Sequence, residues 1–401
     1  MNKIITDEVK IDEILERGTI INIFPTKEEF KKKLLEGKKL RFYIGLDATA
    51  PTLHLSHAKN IMIMEKFRKL GHEVVILFGD FTARIGDPTG ENSKRKELNR
   101  KEVLSNVKKW KTLIKPLMDF KTLNNPPKIM YNHKWLSKLT LEELIKLANT
   151  FTVQQMIERD MFEKRLNAGK PIYLSEFLYP LMQGYDSVAM NVDVEVCGTD
   201  QTFNALAGRT LLKKIKGKDK FVVTLTLMEN PKTGELMSKS KGTGVFLGGL
   251  SSDMFGQIMA QPDEMMEVLF INNTLLSLNE IKEILNSNNP KEIKLRLAKE
   301  IIKIFYGEKE AKSAQRKWEE TFSKKEIPKD APTTEVSREE LLIDTFLNNN
   351  IVSSKTEFRR LVEAQAITNL NTKEKVKDPN FRVQSGVYRV GKKRFIKIKI
   401  K

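Results

Sequence analysis

Apolar and polar positions change their period several times along this chain, and each change marks an element. Residues 27–35 carry apolar positions at helical spacing. Residues 40–46 are then a run of strand formers, broken at Pro51. Ile61, Met64 and Phe67 return to helical spacing, with Thr52 placed to cap the new helix and Gly71 to end it. Residues 73–79 are almost wholly apolar, which predicts a strand buried on both faces and completes a β-α-β unit. The turn-rich stretch 80–90 then falls at the carboxyl end of that strand, where open α/β sheets bind ligands.

Further on, residues 93–117 predict a long lysine-rich helix and 128–131 a short strand. Residues 152–166 and 174–190 predict two helices separated by Gly169 and Pro171. Residues 192–198 alternate like a strand and run into Thr199-Asp200-Gln201. Residues 221–227 form another buried strand, leading to the loop 228–244. From 253 to about 322 the periodicity is helical throughout. Residues 323–337, with Pro328 and Pro332, read as a linker. The tail, 338–401, predicts two helices (341–348 and 355–364) and a final strand, 392–401, with lysine at alternate positions. The alternation of strands and helices over the first two-thirds is the pattern of an α/β domain with a parallel sheet.

Composition narrows the partners. Lys+Arg number 70 against 52 Asp+Glu, a net charge of +18, which points to a polyanion, nucleic acid first and a membrane surface second. The tail alone holds 15 Lys+Arg and 7 Asp+Glu. Its last strand reads either as an RNA-contacting surface, with Arg359, Arg360, Lys392, Lys393 and Arg394 as candidates, or as an edge strand protected by charge. No apolar run approaches the ~20 residues of a membrane span. The first residues lack an apolar signal region, and Cys197 is the sole cysteine, so a cytoplasmic protein without disulfides is expected.

Two of the four histidines, His54 and His57, sit three apart where the helix after the first strand opens. Backbone N–H groups and the helix dipole favour an anion there, so imidazoles beside it suit phosphate oxygens. The same spacing also fits half of a metal site or two surface histidines with no task. Tyr179, Gln183 and Asp186 fall at i, i+4 and i+7, which places three polar groups on one helical face.

These motifs together resemble a known family. The run Tyr43-Ile-Gly45-Leu-Asp47-Ala-Thr49 through His54-Leu-Ser-His57, followed by Met237-Ser238-Lys239-Ser240, resembles the signature pair of class I aminoacyl-tRNA synthetases. Between them, Tyr179-Pro-Leu-Met-Gln183-Gly-Tyr-Asp186 and Gly198-Thr-Asp200-Gln201 resemble the bacterial-type tyrosyl-tRNA synthetases, and the tail resembles their S4 RNA-binding module. The resemblance implies a Rossmann-like catalytic domain (1–245) with an inserted dimerisation region (about 93–164). An α-helical anticodon-binding domain (246–322), the linker and an S4-like α+β domain (338–401) would follow.

By the same resemblance, His54, His57, Lys239 and Arg95 would act on the phosphates of ATP. Tyr43 and Asp186 would bind the phenol of tyrosine. Asp87, Tyr179 and Gln183 would bind its ammonium, and Gln201 would lie near its carboxylate. Gly45, Asp47, Thr49, Asp200, Met237, Ser238 and Ser240 would line the ATP side. Magnesium would accompany ATP without a cage of protein ligands, tRNA(Tyr) would be the second substrate, and the enzyme would be a homodimer. Two positions depart from the family: Leu236 stands where its loop has a first lysine, and Glu91 where many members carry a mobile lysine. The alternatives are a tryptophanyl-type synthetase and a catalytically weakened synthetase-like RNA-binding protein.

Overall fold

The computed structural model describes residues 3–87, 98–157, 160–237, 243–322, 331–372, 374–391 and 394–401. The chain divides into two compact units, Met1–Gln315 and Arg316–Lys401.

In the first unit the apolar runs become six strands: β1 (Ile20–Phe24), β2 (Arg41–Leu46), β3 (Glu73–Phe78), β4 (Lys128–Tyr131), β5 (Val194–Gly198) and β6 (Phe221–Leu225). Their spatial order is β1-β6-β5-β2-β3-β4. Strands β2 to β6 run parallel, and β1 lies antiparallel to β6 at the edge. The chain builds outward from β2 through β3 to β4, then returns to place β5 on the other side of β2. Such a reversal opens a crevice between the carboxyl ends of the two central strands. β3 is buried at every residue after Glu73, as its unbroken apolar run predicts. β1 was not legible in advance, because Ile20–Phe24 has no clean alternation: its burial runs intermediate, exposed, exposed, buried, intermediate.

The helix after β2 begins later than Thr52 would place it. It spans Leu55–Lys69, and His54 occupies the cap position. Pairing with a distant segment explains the delay. Leu247 N–H donates to Leu53 O at 2.8 Å and Leu55 N–H to Val245 O at 3.0 Å, so residues 53–55 stay extended before the helix starts. The described part of the long lysine-rich helix is Arg100–Leu113, with Asn99 and Glu102 capping each other. The helix Leu174–Met190 matches its expected bounds and ends at Asn191 in the left-handed region.

The helical stretch becomes Ser251–Met259, Met265–Asn273, Leu278–Leu285, Pro290–Tyr306 and Glu308–Phe322. Asn289 caps the fourth of these, with Pro290 in its first turn, where no N–H is missed. Arg17, 8% exposed, ties this region to the sheet. Its guanidinium donates to Ile271 O, Thr274 O and Leu276 O at 2.8, 2.9 and 2.7 Å.

The second unit has a four-stranded mixed sheet, β7 (Thr333–Val336), β8 (Ile367–Asn369), β9 (Gly386–Val390) and β10 (Arg394–Ile400), in the order β7-β10-β9-β8. Helices Leu342–Asn348 and Lys355–Glu363 pack on it around Phe346, Phe358, Tyr388 and Ile396. Two expectations change. Thr333–Val336, read as the end of a linker, is a strand. β10 is not a charge-protected edge, because it lies between β7 and β9; Lys397 and Lys399 project from one face while Ile396 and Ile398 fill the core.

Candidate active site

A cavity of about 360 Å³ opens at the crevice between β2 and β5. β2 delivers Gly45 and, just past its end, Asp47 and Thr49. β5 delivers Gly198, with Asp200 and Gln201 on the turn that follows. The long helix Leu174–Met190 lays Tyr179, Gln183 and Asp186 along one wall, and the helix beginning at Leu55 brings His54 and His57 to the other. Asp87 completes the set. Eleven expected residues therefore line one space.

Secondary contacts hold these groups in place. Trp110 Nε1 donates to Ala50 O at 2.8 Å and Asn106 Nδ2 to Ala48 O at 2.9 Å, so the helix Arg100–Leu113 braces the loop after β2. Asp47 accepts from Thr82 Oγ1 at 2.7 Å and from Tyr179 Oη at 3.0 Å. Gln201 Nε2 donates to Asp87 and, at 3.0 Å, to Asp200.

The two histidines are neutral at physiological pH. Burial, with a smaller contribution from the charge of Lys59, lowers His54 to about 4. Burial and then its neighbour His54 lower His57 to about 3. Their rings meet edge-on with centroids 4.2 Å apart, and His57 also packs against Trp110. His57 Nδ1 accepts from the His54 backbone N–H at 3.4 Å, so its ring proton resides on Nε2 and is available to donate. A neutral donor of this kind serves a phosphate oxygen without a proton transfer. Among the described residues, no group of three His, Cys, Asp or Glu side chains is placed to hold a metal ion.

Asp186 is 3% exposed, and burial drives its carboxyl well above the usual range. Two donors oppose that shift, Trp135 Nε1 at 2.7 Å and Asn132 Nδ2 at 3.2 Å. The result is a buried carboxyl in the cavity wall, anchored by two donors. Tyr43 departs from expectation: it is fully buried, does not line the cavity, and its hydroxyl lies 3.0 Å from Ser187 Oγ. Met237 is buried beside a neighbouring pocket, its N–H donating to Met228 O at 2.7 Å. Arg95, Ser238, Lys239 and Ser240 lie outside the described residues, as do Lys392 and Lys393 of the tail. Arg359 and Arg360 are exposed on the helix Lys355–Glu363. Arg394 instead bridges to Glu357 and to Ile351 O.

The sequence reading missed Lys59 and Glu195, which both line the cavity. Lys59 is 2% exposed, donates to Thr226 O, and is lowered to about 8 by burial, an effect that Asp200 partly opposes. A basic residue two places after His57 was the available signal. Glu195 was hidden by the strand alternation around it.

Comparison with known proteins follows the same geometry. Residues 35–323 match the family model described as tRNA synthetases class I (W and Y). The chain is 40% identical over 412 residues to the tyrosine–tRNA ligase of Carboxydothermus hydrogenoformans, covering 98% of both chains. It belongs to the tyrosine–tRNA ligase family. A second member, from Aquifex aeolicus, is 40% identical over 96% of this chain and 97% of its own. The fold is also that of a C-terminally truncated Aspergillus nidulans mitochondrial tyrosyl-tRNA synthetase. That structure matches with a TM-score of 0.66 at 22% identity, over 78% of this chain and 94% of its own. Family membership accounts for the pairing of a histidine wall and a polar helix face across one switch point.

Proposed function

We propose that the chain activates L-tyrosine with ATP to tyrosyl-adenylate and pyrophosphate, then transfers the tyrosyl group to the 3′ end of tRNA(Tyr). The observation that carries this reading is one cavity with two chemically distinct walls. On one side stand neutral His54 and His57; on the other, Tyr179, Gln183 and a desolvated Asp186.

In the first step the carboxylate of tyrosine attacks the α-phosphate. Charge then concentrates on the phosphate oxygens, so positioned donors and cations matter more than an acid or base. His54 and His57 donate to the phosphates, and Lys239 and Arg95 supply positive charge to the departing pyrophosphate. Ser238, Ser240 and Met237, next to Lys239 in sequence, are assigned to the ATP side. Magnesium, bound with ATP on its phosphate oxygens, would offset that charge further. Asp200 holds the ribose hydroxyls, and Gly45, Asp47 and Thr49 line the nucleotide's path.

Tyrosine enters with its phenol towards Asp186, its ammonium among Asp87, Tyr179 and Gln183, and its carboxylate near Gln201. A site built to bind a hydroxyl leaves its own buried polar groups unpaired when the hydroxyl is missing, a behaviour of which this enzyme family is itself the standard illustration. Trp135 and Asn132 hold Asp186 for that role.

The helical region 246–322 serves as the anticodon-binding domain and 338–401 as an S4-like RNA-binding domain, in which Arg359 and Arg360 present exposed charge. A homodimer is supported by exposed apolar side chains at Leu141 (73%) and Ile145 (51%) within 93–164, and at Leu166 (57%) and Leu174 (78%) just beyond it. The enzyme acts in the cytoplasm. Among the described residues no helix is long and apolar enough to cross a membrane. Tyrosine-dependent exchange of pyrophosphate into ATP tests the first step, and its loss in His54→Ala with the fold intact tests the site.

A further inference from the structure

A lysine with no exposed side-chain surface is buried beneath the amino-acid side of the cavity. Lys220, immediately before β6, forms an ion pair with Glu195 of β5, whose side chain is 2% exposed. Room for the ammonium exists because residue 208 is glycine: a Cβ there would come within 2.8 Å of Lys220 Nζ and 3.1 Å of Ser187 Oγ. Buried ion pairs are poor sources of stability, because desolvation offsets the attraction and apolar residues of similar volume often do as well. The contacts of this pair lead to the substrate side.

From Glu195 the network reaches Gln183. Glu195 Oε1 accepts from Gln183 Nε2 at 3.1 Å, and Gln183 Oε1 accepts from Asn204 Nδ2 at 3.1 Å. An ionised carboxylate only accepts, so the Gln183 amide cannot turn over without losing both bonds. From Lys220 the network reaches Tyr43. Lys220 Nζ donates to Ser187 Oγ at 2.7 Å, and Ser187 Oγ lies 3.0 Å from Tyr43 Oη but 3.4 Å from Glu195 Oε2.

We infer that Lys220 is a positioning residue for tyrosine: through Glu195 it fixes the amide of Gln183, which lines the cavity. The inference rests on the assignment of Gln183 to the tyrosine half of the site. It separates the two substrates, because the Lys220–Glu195 pair makes none of its contacts on the histidine wall.

The test uses the full-length enzyme, with KM for tyrosine and for ATP taken from pyrophosphate exchange and folding checked by the thermal midpoint. Lys220→Met is expected to raise the tyrosine KM about 10–100-fold, the range of a lost hydrogen bond to a charged group, and to leave the ATP KM within about twofold. Glu195→Gln combined with Lys220→Met leaves no unpaired buried charge and keeps an acceptor for Gln183, so it should regain much of the loss. Should Lys220→Met fail to fold, the double variant carries the same expectation in smaller measure, about fivefold on tyrosine alone. An unchanged tyrosine KM in a folded variant, or an equal rise for both substrates, overturns the inference. If the wild-type enzyme shows no exchange with tyrosine, the underlying assignment falls and the inference with it. If the wild type exchanges and the variants match it, the inference alone falls.

Discussion

Replacing Gly198 by alanine isolates the nucleotide side of the site with a single methyl group. Gly198 closes β5 at φ −71° and ψ 158°, a conformation alanine adopts freely, so no backbone strain enters. The added Cβ would lie 2.4 Å from Asp200 Oδ1 and 3.4 Å from Leu227 Cδ2. The leucine contact is ordinary. For the contact with Asp200 to reach even 3.0 Å, the carboxylate must retreat by at least about 0.6 Å. That shift takes it off the ribose hydroxyls it is proposed to bind. Hydrogen bonds to a charged group contribute about 1.5–3 kcal/mol; because Asp200 is exposed, the lower figure applies, which is roughly tenfold in affinity. Gly198→Ala should therefore raise the ATP KM in pyrophosphate exchange by about tenfold. Tyrosine binding, measured by equilibrium dialysis, should stay within about twofold. An unchanged ATP KM in the folded variant, or an equal loss of tyrosine binding, refutes the assignment of Asp200.

Three other outcomes follow from the geometry. Asp186→Ala leaves Trp135 Nε1 unpaired, takes from Asn132 Nδ2 one of its two acceptors and removes the phenol's acceptor, so the ratio of kcat/KM for tyrosine over phenylalanine should fall by at least about 10-fold. Lys59, lowered to about 8, is charged below that pH and neutral above it. ATP binding should weaken as pH rises through 8, and Lys59→Met should abolish that dependence in a KM–pH profile. The ordinary value of an exposed lysine is higher, so the burial of Lys59 costs stability at neutral pH, and the cost is relieved as pH rises from about 8 to 10.5. Leu141→Asp with Leu174→Asp should move the proposed dimer to monomer in sedimentation equilibrium, because both side chains are more than 70% exposed and a carboxylate cannot be buried there unpaired.

Much of this architecture is written in local pattern. β3 and the helix Leu174–Met190 follow from an unbroken apolar run and from helical spacing, and the i, i+4, i+7 triad on that helix does line the cavity. What escaped was set by contacts distant in sequence. Pairing of residues 53–55 with 245–247 holds His54 extended and makes it the cap in place of Thr52. β10 has the alternating lysines of an edge strand, yet β7 covers one side of it and β9 the other. The Lys220–Glu195 pair joins the residue before β6 to β5 across 25 positions, and nothing local to either residue announces the other. Tyr43 illustrates the reverse case. Its place in a motif predicts a substrate contact, whereas the fold engages its hydroxyl with Ser187.

The most direct measurement is exchange of labelled pyrophosphate into ATP by the purified full-length enzyme, with tyrosine, tryptophan and phenylalanine supplied separately. Exchange that requires tyrosine, is negligible with the other two, and disappears in folded His54→Ala is the result expected of a cavity with a neutral histidine wall facing Asp186. Exchange driven by tryptophan, or activity undiminished in His54→Ala, would contradict it.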